Sequence, residues 1–211
     1  MKLWFKALFL ILLTTDIVFA EPLFSPENRL SSEQEFPQLA SRQPVLAGHF
    51  EQIRHVAQMD VAIRSEGEFL IDQQMGLLWE QTMPFLSRLW MNQQRIVQQN
   101  GSASPVEISS SENPLPFTIG RIFFALFRGE FDELRTAFEP YLLRSEQHWQ
   151  LGLRPTDALI AKVIQQIEVD GDRQIRSLKI TDSQGNVQEF IFGAIVAASE
   201  LSLEQRERLQ P

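Results

Sequence analysis

The chain has 211 residues, a formal net charge of −8 at pH 7 and no cysteine. Without cysteine there is no disulfide staple, no thiolate zinc site and no cysteine nucleophile. The acidic balance disfavours nucleic acid and anionic membrane surfaces as partners.

The first twenty residues, MKLWFKALFLILLTTDIVFA, have the pattern of a secretory signal peptide. Lys2 and Lys6 form a positive front, Leu8 to Leu13 a short apolar core, and Val18 and Ala20 place small residues at minus three and minus one. The apolar run is well short of the eighteen or so residues that a membrane span needs. Cleavage after Ala20 removes Lys2, Lys6 and Asp16, leaving 17 basic and 26 acidic side chains and a net charge of minus nine. The remainder, residues 21–211, suits one domain with a good core. No cysteine follows the cleavage point, so the mature protein is not lipidated there.

Residues 21–47 carry prolines at 22, 26, 37 and 44, and predict one short helix around 33–42. A strand-rich half follows. His49 to Ile53 opens it, and residues 60–72 (DVAIRSEGEFLID) alternate strictly. Val61, Ile63, Ser65, Gly67, Phe69 and Ile71 share one parity, while Arg64, Glu66, Glu68, Leu70 and Asp72 share the other. Gly76 to Glu80 forms the next strand. Leu86 to Met91 and Arg95 to Gln99 predict a hairpin turning at Asn92-Gln93.

Residues 100–116 are polar and proline-containing and predict a loop. The period then changes. Phe117, Ile119, Ile122, Phe123, Leu126 and Phe127 recur every three or four residues, which predicts a helix. Arg128-Gly129 ends it, and Phe131, Leu134 and Phe138 predict a second, shorter helix stopping before Pro140.

Strands return at Tyr141 to Ser145 and at Trp149, Leu151 and Leu153. Pro155-Thr-Asp-Ala predicts a brief helical turn. Val163, Gln165, Ile167 and Val169 alternate up to Asp170-Gly171, which predicts a hairpin returning at Ile175 to Thr181. Val187 to Phe192 is a further strand, and the charged end SELSLEQRERLQP predicts a terminal helix.

The expected fold class is mainly β (α+β): a single curled antiparallel sheet forming an incomplete β-barrel of about ten or eleven strands, covered by a lid of about three short helices. Two readings of the apolar strand face at 61, 63, 69 and 71 stand side by side. In one the face is a plain core; in the other it lines a ligand cavity under a helical cover. Trp79 and Trp149 are open to the same two readings, and Trp90, on the parity of Leu86 and Arg88, is expected on the outer side or the rim.

The sequence resembles the outer-membrane lipoprotein carrier (LolA-type) family, as a divergent member. The likeness rests on Phe50-Glu-Gln52, on Ser65-Glu-Gly67 leading into Phe69-Leu-Ile71, and on Gly76-Leu-Leu-Trp-Glu80 with Pro84 five residues after Trp79. Trp149-Gln-Leu-Gly-Leu-Arg-Pro155 and the hairpin from Ile167 into residues 178–186 continue it. It runs from about residue 35 to 195, carried by order and spacing rather than by one sharp motif.

The resemblance implies a periplasmic carrier that shields the acyl chains of a lipoprotein or other lipidated cargo during transfer from inner to outer membrane. It implies an inner-membrane ABC-type exporter and an outer-membrane receptor as partners, and a monomer. The implied cavity residues are Phe50, Val61, Ile63, Phe69, Ile71, Leu77, Trp79, Trp149, Leu151 and Leu153. The implied lid residues are Ile119, Ile122, Phe123, Leu126 and Phe127. Where the family carries a basic latch residue followed by Pro, this chain has Gln73-Gln74; Gln73 and Arg128 are the candidate replacements, Arg128 also reading as a charge at a helix C-terminus. The family's final Phe-rich strand is replaced by SELSLEQRERLQP. These departures keep a non-lipoprotein cargo, a glycolipid or polyene lipid, in view.

Other classes have less support. The histidines His49, His55 and His148 lack metal-ligand spacing, no serine sits in a nucleophile elbow, and the carboxylates are scattered on wet faces. No catalytic residue, metal or cofactor is expected. A periplasmic lipid or peptide sensor would be expected to carry a second domain, for which the sequence after about residue 195 has no room.

Overall fold

The computed structural model describes residues 23–31, 43–58, 61–92, 95–108, 114–128 and 134–211. The signal segment, the helix expected over 33–42, Gln93 of the first hairpin and residues 131–133 of the expected second helix lie outside them. Among the described residues, no helix is long and apolar enough to cross a membrane.

The described residues form one antiparallel sheet of twelve strands. They are β1 (Val45–His55), β2 (Ala62–Asp72), β3 (Gly76–Met83), β4 (Ser87–Met91), β5 (Ile96–Asn100), β6 (Val106–Ile108), β7 (Phe138–Arg144), β8 (Trp149–Pro155), β9 (Ile164–Gly171), β10 (Ile175–Asp182), β11 (Val187–Phe192) and β12 (Val196–Ala198). The lateral order is β6-β5-β4-β3-β2-β1-β11-β10-β9-β8-β7, with β12 beside β1. The sheet does not close, and β6 and β7 are its edge strands; on β7 Arg29 forms an isolated bridge with Tyr141, and the Leu30 N–H donates to the Pro140 carbonyl at 2.9 Å. Between the two halves lies helix α1 (Pro114–Arg128). The one non-sequential pairing on the main path is β1 with β11, where Phe50 faces Phe192 and Ile53 faces Glu189.

Strand register turns the alternation into a continuous apolar surface. Leu46 pairs with Ile71, Ile71 with Leu77, Leu77 with Met91, Met91 with Ile96, and Ile96 with Ile108. One aliphatic row therefore crosses six strands on the inner face. The next inner row carries Phe69, Trp79 and Leu89, and the third carries Gly67, Gln81, Ser87 and Asn100. Over β3 to β5 the inner face thus passes from apolar at one end to polar at the other, while Phe50 on β1 and Phe192 on β11 keep the same row apolar.

The outer face has a core of its own. Leu70, on the parity expected to be wet, is buried. It lies with Val45, Leu78, Trp90, Val97 and Leu209 in a second cluster. The cover is the C-terminal segment around helix α3 (Leu203–Arg208), whose Ser202 and Gln205 form a reciprocal capping box. The Trp90 indole N–H donates to the Arg208 carbonyl at 2.8 Å. Beside it Arg208 meets Glu68 at 3.1 Å and Glu80 at 3.7 Å, and Arg88 also pairs with Glu80.

Several expectations change. The strand count rises to twelve because β6 lies in the expected loop and β12 is a short strand after β11. Phe138 opens β7 instead of closing a helix; the Ala137 N–H donates to Leu134 O, and the chain then goes straight into the strand. Pro140 is tolerated inside β7 because β7 is an edge strand that, away from β8, carries no full ladder among the described residues but an isolated bridge, Arg29 with Tyr141. Of the helices expected as cover, the one over 33–42 and the start of the one over 131–138 fall outside the described residues. Among the described residues only α1 lies in the interior cluster as a long helix, α3 covers the outer face, and the short α2 (Ala158–Ala161) supplies Ile160 alone to the core. Asp157 caps α2 by accepting from the Leu159 and Ile160 amides.

The Asp170-Gly171 pair is not the turn itself. Gly171 ends β9 opposite Ile175, and 172–174 make the bend. A side chain at 171 would meet the Trp149 ring at 2.2 Å, so Gly171 is there for the indole to lie across it. The alternation in β9 also slips: Ile164 and Ile167, three apart, are both buried, because the register shifts between Thr181 and Asp182 and leaves Gln165 as the extra residue.

Gly67 is the tightest point of the sheet. A Cβ there would lie 2.0 Å from the Glu80 carbonyl oxygen and 2.7 Å from the Phe50 ring. Phe50 pairs with Gly67 and stacks on Trp79 with ring centroids 3.8 Å apart. Gly67→Ala is therefore expected to lower stability by about 2–3 kcal/mol in urea denaturation, because the obstruction is backbone rather than a movable side-chain tip.

Candidate functional site

α1 starts with prolines at 114 and 116, which a first helical turn tolerates because its amides have no intrahelical partner. Beyond Thr118, Arg121 and Arg128, the described side chains of α1 are apolar or glycine. A helix that is apolar nearly all round must be surrounded. Here it lies in the hollow of the sheet. Ile122, Phe123, Leu126 and Phe127 are buried in one cluster with Phe50, Phe69, Ile71, Leu77, Trp149, Leu151 and Leu153, and Trp79 and Ile119 pack half-buried against it.

Thirteen of the fifteen residues expected from sequence, ten for the cavity and five for the lid, are thus brought together as fully or partly buried members of one cluster. Val61 and Ile63 are not. They are 61% and 52% exposed. The reason is strand length: β3 pairs with β2 only as far as Met83 opposite Glu66, so Ile63 pairs with β1 alone, and Val61 precedes the strand.

The centre of the interior is aromatic. Trp79 meets Phe123 edge-on at 5.3 Å and Phe190 at 5.5 Å. Phe127 meets Phe69 at 5.3 Å and Phe192 at 5.2 Å. Such pairs add about 0.5–1.5 kcal/mol each beyond area burial. Phe190 and Phe192 were missed as site residues. Their signal is the period-2 Phe-x-Phe on β11, but only the long-range β1–β11 pairing shows that they face Phe50 and Trp79. Trp149 is anchored: its indole N–H donates to the Asp172 carbonyl at 2.7 Å. The Asp172 carboxyl is held below the usual carboxylate range by hydrogen bonds from Arg176 first and from the Gln174 amide.

The side chains of α1 occupy the middle of the hollow, and clefts border it. One of about 240 Å3 lies along Thr118, Ile122 and Ala125. Another, of about 310 Å3, lies along Phe117, Phe124 and Arg128, with Arg121 at the edge of both. A third, of about 330 Å3, reaches Phe127 and Leu46. Gln73 and Arg128 line the same cleft, while the Gln73 amide donates to the Gln43 carbonyl at 3.2 Å. Among the described residues no group of three or more His, Asp or Glu is placed to hold a metal ion. The arrangement offers apolar area and little polar specificity, which suits enclosing a chain rather than reacting with one.

The packing predicts a sharp contrast. Phe123→Ala, which empties the centre of the aromatic cluster, is expected to cost about 3–5 kcal/mol in chemical denaturation. Phe85→Ala, in the exposed turn between β3 and β4 where the ring is 76% exposed, should stay within about 0.5 kcal/mol of the parent.

A family model described as outer membrane lipoprotein carrier protein LolA-like matches residues 25–210. Among solved structures, a LolA superfamily protein from Nitrosomonas europaea is similar at 11% identity and a TM-score of 0.42, covering 79% of this chain and 91% of that one. A DUF1329 family protein from Desulfovibrio piger is similar at 9% identity and a TM-score of 0.42, covering 76% and 88%. A search of curated proteins finds no match.

Proposed function

The chain belongs to the outer membrane lipoprotein carrier protein LolA-like family, and from that membership we propose that it is a periplasmic carrier whose acylated cargo takes the place of α1 in the hollow of the sheet. The observation that carries this reading is the α1–sheet interior, a set of phenylalanine and aliphatic side chains presented to an apolar concave face.

The energies are of matching size. Burying Ile122, Phe123, Leu126 and Phe127 is worth about 1.5–3 kcal/mol for each side chain, or about 6–12 kcal/mol together. An acyl chain gains about 0.8 kcal/mol per buried methylene, so a chain of about twelve methylenes gains about 10 kcal/mol. Helix and chain can therefore exchange in the same hollow without a large net change. That is what a carrier requires, since it must both accept and surrender its load.

The polar end of the inner face, with Gln81, Ser87 and Asn100, supports placing the acyl chain at the opposite end, along the Leu46–Ile108 row. The signal-peptide pattern supports a periplasmic location. An inner-membrane ABC-type exporter as donor and an outer-membrane receptor as acceptor follow from the family likeness, and the carrier works as a monomer. The cargo is a lipoprotein or another lipidated molecule. Gln73 and Arg128, on one cleft beside α1, act as the latch of the closed form.

Native mass spectrometry of the protein purified gently from periplasm tests this. An acylated species retained by the folded protein is the expected result, and Phe69→Glu, which sets a carboxylate in the hollow, should abolish uptake of a fluorescent acyl probe. A protein that arrives empty and also fails to take up the probe would overturn the carrier assignment.

A further inference from the structure

One contact between α1 and the sheet has no slack. A Cβ at Gly120 would lie 1.9 Å from the Met91 Cε and 2.1 Å from its Sδ. The thioether tip therefore occupies the place that a side chain on the helix would take. Gly120 is buried and lies inside α1, six residues after Pro114 and eight before Arg128. Glycine is the least favourable residue but proline for a helix interior, so the helix carries a local cost at this point. Residues three and four apart are neighbours on a helix surface. Gly120 thus lies between Phe117, Phe123 and Phe124, whose bulk makes it a recess.

The base of Met91 is held firmly. On β4 it pairs with Leu77 on one side and Ile96 on the other. At the β2–β3 turn Gly76 has a φ of 119°, and a Cβ there would lie 2.2 Å from the Met91 carbonyl oxygen. Two glycines therefore bracket Met91, one closing on its backbone and one receiving its tip. Burial of Ile122, Phe123, Leu126 and Phe127 drives α1 into the hollow, but apolar burial is non-directional and sets no position along the sheet. A side chain seated in a recess does set one.

We propose that Met91, seated in the Gly120 recess, fixes the depth and register of α1 in the hollow and thereby sets how tightly the protein holds an acyl chain. This rests on the carrier reading and deepens it. Helix and cargo compete for one space, so the apparent affinity for cargo is the intrinsic affinity scaled by the fraction of protein whose hollow is open. A side chain at 120 meets Met91 only while α1 is seated. Filling the recess therefore raises the free energy of the closed form alone, and cargo binds more tightly. A contact that merely supported the fold would do the reverse or nothing. Met91 also lies on the Leu46–Ile108 row, so its unbranched, adaptable tip turns to the acyl chain once α1 has left.

The test titrates dansyl undecanoate by fluorescence into the mature parent protein, Gly120→Ala, Gly120→Leu, Met91→Ala and Gly120→Leu/Met91→Ala. Affinity is expected to rise in the order Gly, Ala, Leu at position 120. It reaches about tenfold for Gly120→Leu, equivalent to about 1.4 kcal/mol in the closing equilibrium. In the Met91→Ala background the Sδ and Cε atoms are gone, and the same Gly120→Leu step changes affinity by less than about twofold. Hydrogen exchange of empty Gly120→Leu shows residues 117–127 less protected, with β1, β2 and β3 unchanged. Equal or weaker binding across the position-120 series would overturn the recess while leaving the carrier intact, as would a tenfold step that survives without Met91. Loss of protection from β1, β2 and β3 in both Gly120 variants would mark a scaffold contact and also overturn it. Failure of every protein, the parent included, to bind the probe would overturn the carrier reading and this inference together.

Discussion

An open sheet with one continuous apolar face has to cover that face, and among the described residues the long element that does so is α1. The row from Leu46 to Ile108 and the aromatic residues beside it could not face water without losing the largest favourable contribution to folding. α1 meets that need with Phe123, Leu126 and Phe127, and its own apolar surface is equally dependent on the sheet. Neither partner is satisfied alone. This mutual dependence explains both the composition of α1 and the absence of polar specificity in the hollow. On the carrier reading proposed above it makes the helix the replaceable element, because a cargo that is apolar and elongated can serve the sheet in its place.

The rest of the sheet is held by further interactions, of which only those around Trp79 also touch α1, through Phe123. On the outer face the C-terminal segment caps Leu70, Leu78 and Trp90, and Arg208 ties it to Glu68 and Glu80. At the far wing Trp149 lies over Gly171 and is anchored to the Asp172 carbonyl. Between them Phe50 lies over Gly67 and stacks on Trp79. A scaffold secured on its back and at both sides of its hollow can keep its shape while its front is exchanged. In physical terms this separates the part that must be stable from the part that must move.

Much of this was legible in the chain because period is a local property. The alternation at Phe69 and Ile71, the three-to-four spacing from Phe117 to Phe127 and the terminal helix all show in short windows, and the long run of neighbouring strands implied the curl of the sheet. What was not legible depends on distant partners. Val61 and Ile63 keep the apolar parity, yet they are exposed because β3 stops short of them. Leu70 keeps the polar parity, yet it is buried because residues some 130 positions later fold over it. Phe138 fits a helical spacing with Leu134 and is a strand residue because β8 is there to pair with it. Phe190 and Phe192 read as an ordinary strand until β1 is placed beside them.

The central claim is that α1 and an acyl chain occupy the same space, and hydrogen exchange measures this most directly. The amides of residues 117–127 would be followed in the empty protein and after loading with a palmitoylated peptide. The account predicts that these amides lose at least about tenfold of their protection on loading, while β1, β2 and β3 keep theirs. A loaded protein in which α1 remains as protected as before would contradict it, and would place the cargo on some surface other than the hollow that α1 fills.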